Sequence, residues 1–132
     1  MKKLTPVLVV DEIEPSLRLW VERLDFQKTV EVPEGNKLGF VILARGGLEI
    51  MYQTRLSIER EVERDGLPQA MRPVPGRTTL FIEVSNSSEL DEIRKKVEGF
   101  EVIVPRRETS YGAKELWLRE PGGHLIGFAA FN

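Results

Sequence analysis

Apolar positions recur with helical spacing in two separate parts of the chain. Intervals of three and four residues between apolar side chains are typical of an amphipathic helix with one buried face. The positions in the first half are Ile13, Leu17, Trp20 and Leu24, and those in the second half are Leu90, Ile93 and Val97. Pro15 fits the first turn of the earlier helix, where its missing N–H costs nothing. Asn86 followed by Glu89 predicts a capping arrangement for the later one.

Three apolar, strand-like runs follow each predicted helix. They cover residues 27–32, 38–45 and 48–53 in the first half, and 101–106, 114–119 and 124–131 in the second. Gly46-Gly47 and Gly122-Gly123 mark the last hairpin turn of each half, because glycine adopts positive φ without steric cost. With a strand ahead of each helix, each half has the predicted order β-α-β-β-β.

The two halves are predicted to be an internal repeat. A single offset places Val10 on Val84 and Phe26 on Phe100. We predict repeats at approximately 1–56 and 77–132, joined by a linker at 57–76. Residues 57–64 are charged and predict a helix, whereas the rest of the linker is rich in proline and glycine. The linker is either a lid beside a pocket or a strap between the halves.

The closing segment carries the most specific pattern. Tyr111-Gly112 precedes a strand, Glu120-Pro121-Gly122-Gly123 makes a tight turn, and a second apolar strand follows. This arrangement resembles the closing hairpin of the vicinal oxygen chelate superfamily, which includes glyoxalase I, the extradiol dioxygenases and the bleomycin-resistance proteins. The family hairpin usually has aspartate where this chain has Glu120. The resemblance extends over residues 4–128.

The resemblance implies an α+β fold. Two paired βαβββ repeats would form one domain over residues 1–132, with a curved, eight-stranded, half-barrel-like sheet around a cavity and the helices outside. It also implies a homodimer.

The resemblance further implies four metal-ligand positions. They fall at Thr5 (or Pro6), Glu49, near Thr79, and at Gly127, and only Glu49 is a plausible ligand. Zinc sites with open positions commonly keep three protein ligands. The chain has no cysteine, and its single histidine, His124, is predicted to be an exposed turn residue rather than a proton carrier or rim contact. We therefore expect no metal and no other cofactor, although an oxygen-only magnesium site with Glu49 and Glu83 is conceivable.

A metal-free member of this superfamily would hold its ligand in the sheet cavity, as the bleomycin-resistance branch does. The candidate ligand-binding residues are Glu49, Met51, Thr79, Phe81, Trp117, Gly127 and Tyr111. Glu49 would bind a cationic ligand or act as a general base, or it would only pair with an arginine such as Arg77 or Arg119. Trp117 would stack on a planar ligand, or simply pack.

The remaining candidates would shape the pocket. Gly127 would leave space for ligand and Met51 would adapt its shape. Tyr111 would shape the pocket mouth, or belong to an ordinary turn. All of these positions would instead be packed core if the cavity is filled, since an inner face and a core face have the same sequence pattern.

Composition narrows the classes of partner. The chain has 132 residues with 41% hydrophobic and 30% charged residues, which is ordinary for a globular domain. A net charge of -2 argues against a nucleic-acid surface. No apolar run approaches the roughly 20 residues that a membrane span needs. The apolar stretch at 4–10 is too short for a signal peptide, so we expect a cytoplasmic protein.

These observations favour a metal-independent small-molecule binding protein of the glyoxalase/bleomycin-resistance type. The alternatives are a metal-dependent lyase or dioxygenase that uses Glu49, and a structural or interaction protein with a filled cavity. Whether the chain is an enzyme stays open at this point.

Overall fold

The structure, a computed structural model, describes residues 1–74 and 76–131. Pro75, which belongs to the predicted linker, and Asn132 lie outside the described residues. The chain divides into two compact units, Met1–Gly76 and Arg77–Asn132.

The first unit contains a four-stranded sheet. In chain order its elements are β1 (Val7–Val10), α1 (Glu14–Leu17) continuing into a π-helical segment (Arg18–Arg23), β2 (Gln27–Glu34), β3 (Lys37–Arg45), β4 (Leu48–Thr54), α2 (Arg55–Asp65) and a 3₁₀ turn (Gln69–Met71). The strand order is β1-β4-β3-β2. β1 is parallel to β4, and the other two pairs are antiparallel.

The second unit repeats this topology. Its elements are β5 (Thr79–Glu83), α3 (Ser87–Lys96), β6 (Glu101–Glu108), β7 (Lys114–Arg119) and β8 (Leu125–Ala130). The strand order is β5-β8-β7-β6, again with the first strand of the unit parallel to its last. The predicted α+β class with two βαβββ repeats is confirmed, and the six hairpin strands lie where the apolar runs predicted them.

The first helix departs from the predicted pattern. It has α-helical geometry only over Glu14–Leu17 and then widens, so that the N–H of Leu24 donates to the carbonyl of Leu19, five residues back, at 3.0 Å. Three of the four residues predicted from helical spacing, Ile13, Trp20 and Leu24, are buried, and Leu17 is partly buried. Leu19, which lies outside that spacing, is also fully buried within the widened segment.

The other two helices are capped by side chains. The Thr54 hydroxyl accepts a hydrogen bond from the N–H of Ser57 at the start of α2, and Gly66 ends that helix in the left-handed conformation. Asn86 caps α3 by accepting from the N–H of Glu89, as the sequence predicted. The linker residues 57–64 are helical as expected, within α2. Among the residues that the structure describes, no helix has both the length and the hydropathy of a membrane span.

Each sheet has one face covered by its unit's own helix and one open face. In the first unit, Trp20 of the π-helical segment donates its indole N–H to the Tyr52 hydroxyl at 2.9 Å, and both side chains are fully buried. The side chains that alternate with Tyr52 along β4, those of Glu49, Met51 and Gln53, lie on the opposite, open face and are partly exposed. The same alternation gives the second sheet its open face.

The outer hairpin strands are irregular. β2 and β6 are the edge strands at the hairpin side of each sheet, and each shows two register shifts against its neighbour. Each also contains an exposed proline, Pro33 in β2 and Pro105 in β6, which has no N–H to donate to a further strand.

Candidate functional site

Strand register arranges the open face of the second sheet in three rows. From β6 to β5, the rows are Arg107, Glu115, Ala129 and Glu83; Val104, Trp117, Gly127 and Phe81; and Glu101, Arg119, Leu125 and Thr79. Four of the predicted ligand-binding residues therefore share one face of one sheet: Thr79, Phe81, Trp117 and Gly127. Thr79 is exposed in the outermost row.

Trp117 and Gly127 fit together. A Cβ atom built on Gly127 would lie 2.6 Å from three successive atoms of the Trp117 six-membered ring. Because no real Cβ approaches a ring so closely, the indole occupies the space that the glycine leaves. The space expected to hold ligand at Gly127 is thus taken by Trp117. Trp117 is partly exposed, with its six-membered ring against the backbone of Gly127.

Two phenylalanines extend this surface. Phe81 lies with its ring centroid 6.2 Å from that of Trp117, and Phe131 lies 6.3 Å from Phe81. Phe81 is 50% exposed and Phe131 is 43% exposed. We call Phe81, Trp117 and Phe131 the aromatic platform. Half-exposed rings clustered on one sheet face are unusual for side chains that only pack, because packing would bury them.

A buried carboxylate lies beside the platform. Glu115 is 1% exposed and sits two residues before Trp117 on β7. Its Oε1 accepts hydrogen bonds from Nε and Nη2 of Arg107, at 3.1 and 2.6 Å. Its Oε2 accepts from the Tyr111 hydroxyl at 2.7 Å. Sequence reasoning missed Glu115; the available signal was an acid on a predicted strand, two residues before Trp117 and therefore on the same face.

Hydrogen bonding decides the ionisation of Glu115. Burial raises the pKa of its carboxyl, but hydrogen bonds from Tyr111, Arg107 and the indole of Trp117, together with the charge of Arg107, outweigh burial and hold the pKa below its usual value. Glu115 is therefore an ionised carboxylate that accepts hydrogen bonds at both of its oxygens.

Tyr111, the fifth predicted residue of this unit, also belongs to the cluster. Its ring is 59% exposed while its hydroxyl reaches the buried Glu115. The hydrogen bond to that carboxylate raises the pKa of the Tyr111 hydroxyl. Tyr111 thus connects the turn before β7 with the sheet face.

In the first unit, Glu49 lies on the open face with Met51. Lys3 donates to Glu49 Oε2 and the Thr5 hydroxyl donates to Oε1, each at 2.8 Å. These hydrogen bonds, with the Lys3 charge, lower the pKa of Glu49. The expected arginine partners are not used: Glu49 pairs with Lys3, and Arg119 pairs with Glu101 at 3.0 Å. Two of the four implied metal-ligand positions, Thr5 and Glu49, are thus in direct contact.

The residues at the implied ligand positions do not fit a divalent metal. Glu49 already carries the ammonium of Lys3 on one oxygen and the Thr5 hydroxyl on the other. The fourth position, Gly127, has no side chain and is covered by Trp117. Within residues 1–74 and 76–131, no three His, Cys, Asp or Glu side chains are grouped as a metal would require.

His124 is a structural residue, and its predicted exposure was wrong. It is 3% exposed, and its Nδ1 accepts a hydrogen bond from the backbone N–H of Thr78 at 2.8 Å. The backbone N–H of His124 donates to the buried carboxylate of Glu120, also at 2.8 Å. The turn before β8 therefore ties His124 into the unit, which its position next to a glycine pair did not indicate.

We predict that Glu115→Gln lowers the free energy of unfolding at neutral pH by about 1–3 kcal/mol, because Arg107 and Tyr111 then donate to a neutral amide instead of a buried carboxylate. A carboxyl whose pKa is lowered by folding stabilises the folded protein at pH values above its unfolded pKa, near 4.3. This stabilisation is lost as the pH falls through the lower pKa of the folded state. The difference between wild type and variant should therefore narrow below about pH 4. Urea unfolding across pH measures it.

Glu101→Gln is the matched control, because that acid pairs with Arg119 on the same sheet while 60% of its side chain is exposed. An exposed pair contributes about 0–1 kcal/mol, so the control should lower the free energy of unfolding at neutral pH by no more than that. Equal effects of the two substitutions would contradict the assigned role of Glu115.

Comparison with known proteins gives a structural likeness without a sequence match. The sequence matches no protein-family model and no curated protein. Lactoylglutathione lyase from Agrobacterium tumefaciens has a TM-score of 0.78 at 13% identity, with 98% of this chain and 94% of that chain covered. TioX from Micromonospora sp. ML1 has a TM-score of 0.74 at 17% identity, with 100% of both chains covered.

A third structure has a family description. The glyoxalase/bleomycin resistance protein/dioxygenase family enzyme from Burkholderia phytofirmans PsJN has a TM-score of 0.72 at 16% identity, with 97% of each chain covered. Identities this low show the fold alone. The repeated βαβββ topology and these full-length likenesses together identify the chain's fold as that of the vicinal oxygen chelate superfamily.

Proposed function

We propose that this protein binds a planar small molecule on the aromatic platform, and that it does so without a metal. The observation that carries the proposal is the position of Trp117. Its six-membered ring packs against Gly127, on the same sheet face as the buried Glu115, so it offers a fixed aromatic surface at little cost in side-chain entropy. Half-exposed Phe81 and Phe131 continue that surface.

The polar groups around the platform support binding over catalysis. Small-molecule sites combine aromatic area with a few fixed polar groups, which here are Arg107 and the Tyr111 hydroxyl. A general base would need a free carboxylate near the ligand. Glu115 is buried and fully hydrogen-bonded, and Glu49 is paired with Lys3.

The structural relatives include both proteins described as enzymes and structures described by the glyoxalase/bleomycin resistance/dioxygenase family name. The alternative is therefore a metal-dependent lyase or dioxygenase that uses Glu49. For either activity, the Glu49 carboxylate would have to give up its hydrogen bonds from Lys3 and Thr5 in order to bind a metal ion.

We also propose that the two repeats act as one domain and that the protein is a homodimer. The open face of the first sheet carries exposed valines at its edges, Val7 at 45%, Val30 at 40% and Val32 at 47%. Apolar residues grouped on an open sheet face mark a surface for association.

The binding proposal predicts a specific effect at Gly127. Neutral naphthamide should quench Trp117 fluorescence, while fully buried Trp20 keeps its emission. Gly127→Ala should displace the indole and weaken naphthamide binding about tenfold in titration calorimetry, a loss of ~1.4 kcal/mol. Overpacking at this site should cost no more than about 1–3 kcal/mol of stability, so the variant stays folded by circular dichroism.

Gly47→Ala is the control for that experiment, because its added Cβ meets nothing within 4 Å. It should leave naphthamide affinity unchanged. If Gly127→Ala also leaves the affinity unchanged, or if wild type binds no planar probe, the platform is not the binding site.

The metal-free proposal predicts that zinc, iron, nickel and manganese do not copurify in stoichiometric amounts, because Lys3 and Thr5 occupy the Glu49 carboxylate. Elemental analysis of the purified protein measures this. Near-stoichiometric metal that disappears in Glu49→Gln, but persists in the surface variant Glu63→Gln, would establish the lyase or dioxygenase alternative instead.

The dimer proposal predicts a species of twice the monomer mass in sedimentation equilibrium at micromolar concentration. Val32→Lys should shift it towards monomer by placing charge on the apolar face. Val74→Lys, at a valine that is 81% exposed outside the sheets, should not. A wild-type monomer at that concentration would exclude the dimer.

A further inference from the structure

We propose that the ligand of the aromatic platform is an aromatic carboxylate, whose ring stacks on Trp117 and whose carboxylate is bound by Arg107. This inference rests on the proposed binding function and adds the chemical class of the ligand. It reverses the cationic ligand that Glu49 alone had suggested.

Arg107 is held in one orientation by a rigid partner. Two of its N–H groups, at Nε and Nη2, donate to the same oxygen of Glu115. Glu115 is fixed in turn by Tyr111, and it is 1% exposed. A guanidinium has five N–H donors in one plane, so this arrangement leaves donors for a ligand. The Arg107 side chain is 54% exposed, which makes those donors accessible.

The position of Arg107 suits a ligand that lies on Trp117. Arg107 pairs with Glu115 across the β6–β7 ladder, and Trp117 is two residues further along β7 on the same face. Neighbouring strands lie about 5 Å apart, and two residues along a strand span about 7 Å. A carboxylate attached directly to a two-ring aromatic body spans this distance.

The charges on this face favour an anion over a cation. The carboxylate nearest the platform, Glu115, has its oxygens occupied and is shielded from solvent. Its partner Arg107 is the exposed charge of that pair. Glu83 lies at the far end of the same row, beyond Glu115 and Ala129. A carboxylate is the ligand group that matches the planar fork of a guanidinium.

Three probes of one shape test the inference: naphthoate, neutral naphthamide and cationic naphthylmethylammonium, each titrated by calorimetry. Naphthoate should bind at least about tenfold more tightly than naphthamide, and the cation more weakly than either, since one charge-assisted hydrogen bond contributes that much. Arg107→Met should remove the preference for naphthoate, so that the dissociation constants of naphthoate and naphthamide become equal within about twofold.

Arg106→Met is the matched control. Arg106 is the neighbour of Arg107 on β6, and it pairs with Asp91 of α3 at 2.7 Å on the opposite, helix-covered side. The control makes the same change in net charge and should keep the naphthoate preference. Arg107→Met leaves the buried Glu115 carboxylate without its guanidinium partner. If this unfolds the protein, the double variant Arg107→Met/Glu115→Gln removes both charges and should show the same loss of preference for naphthoate.

The outcomes separate the two proposals. The carboxylate assignment would be overturned by equal affinity for naphthoate and naphthamide, by a preference for the cation, or by an unchanged preference in the Arg107 variants. Binding of naphthamide would still support the platform in each of these cases. Failure of all three probes to bind would overturn both.

Discussion

The open face of the second sheet depends on one constraint: a fully buried, ionised carboxylate must be surrounded by donors. Leaving the charge of Glu115 uncompensated in this position would cost several kcal/mol, on the order of 3–5. Arg107 and Tyr111 meet that requirement by donating three hydrogen bonds to the two carboxylate oxygens. Each donor is thereby fixed in place, so the acid acts as the support that orients the surrounding residues.

Symmetry of topology does not extend to the chemistry of the two units. In the first unit the open face joins Glu49 to Lys3 and Thr5, a small hydrophilic cluster that satisfies itself. In the second unit the equivalent face is aromatic, with its polar groups gathered at one side. The two sheets thus differ on their open faces: the second carries exposed aromatic rings, whereas in the first Glu49 forms an ion pair with Lys3 and accepts a hydrogen bond from Thr5.

Sequence patterns predicted the fold well, because strand alternation and hairpin glycines are local properties, and the offset between the repeats can be read directly from the sequence. The cap of α3 by Asn86 and the hairpin bounds followed from the same signals. The failures were cases in which tertiary contacts outweighed local pattern. Leu19, outside the predicted helical spacing, is buried in the widened segment of the first helix, and His124 is buried where the backbone N–H of Thr78 donates to its ring.

The site was predictable in part for the same reason. Alternation placed Trp117 and Gly127 on one face, but no sequence signal distinguishes a glycine that leaves room for ligand from one that accommodates an indole. Glu115 was not predicted because an acid can be buried only with hydrogen-bond donors, and its donors lie elsewhere: Arg107 on the neighbouring strand and Tyr111 in the turn before β7. Such pairing is visible only once strand register is known.

The irregular edge strands have a consequence for how copies of this protein meet. Prolines at Pro33 and Pro105, with the register shifts around them, interrupt the ladders of unpaired backbone groups along β2 and β6. A second chain cannot continue the sheet smoothly there, and this is how natural proteins suppress amyloid-like stacking. The edges left regular are β1 and β5, which are four and five residues long. Edge strands this short offer few backbone hydrogen bonds to a strand from another copy. Both kinds of edge therefore disfavour polymerisation by strand addition.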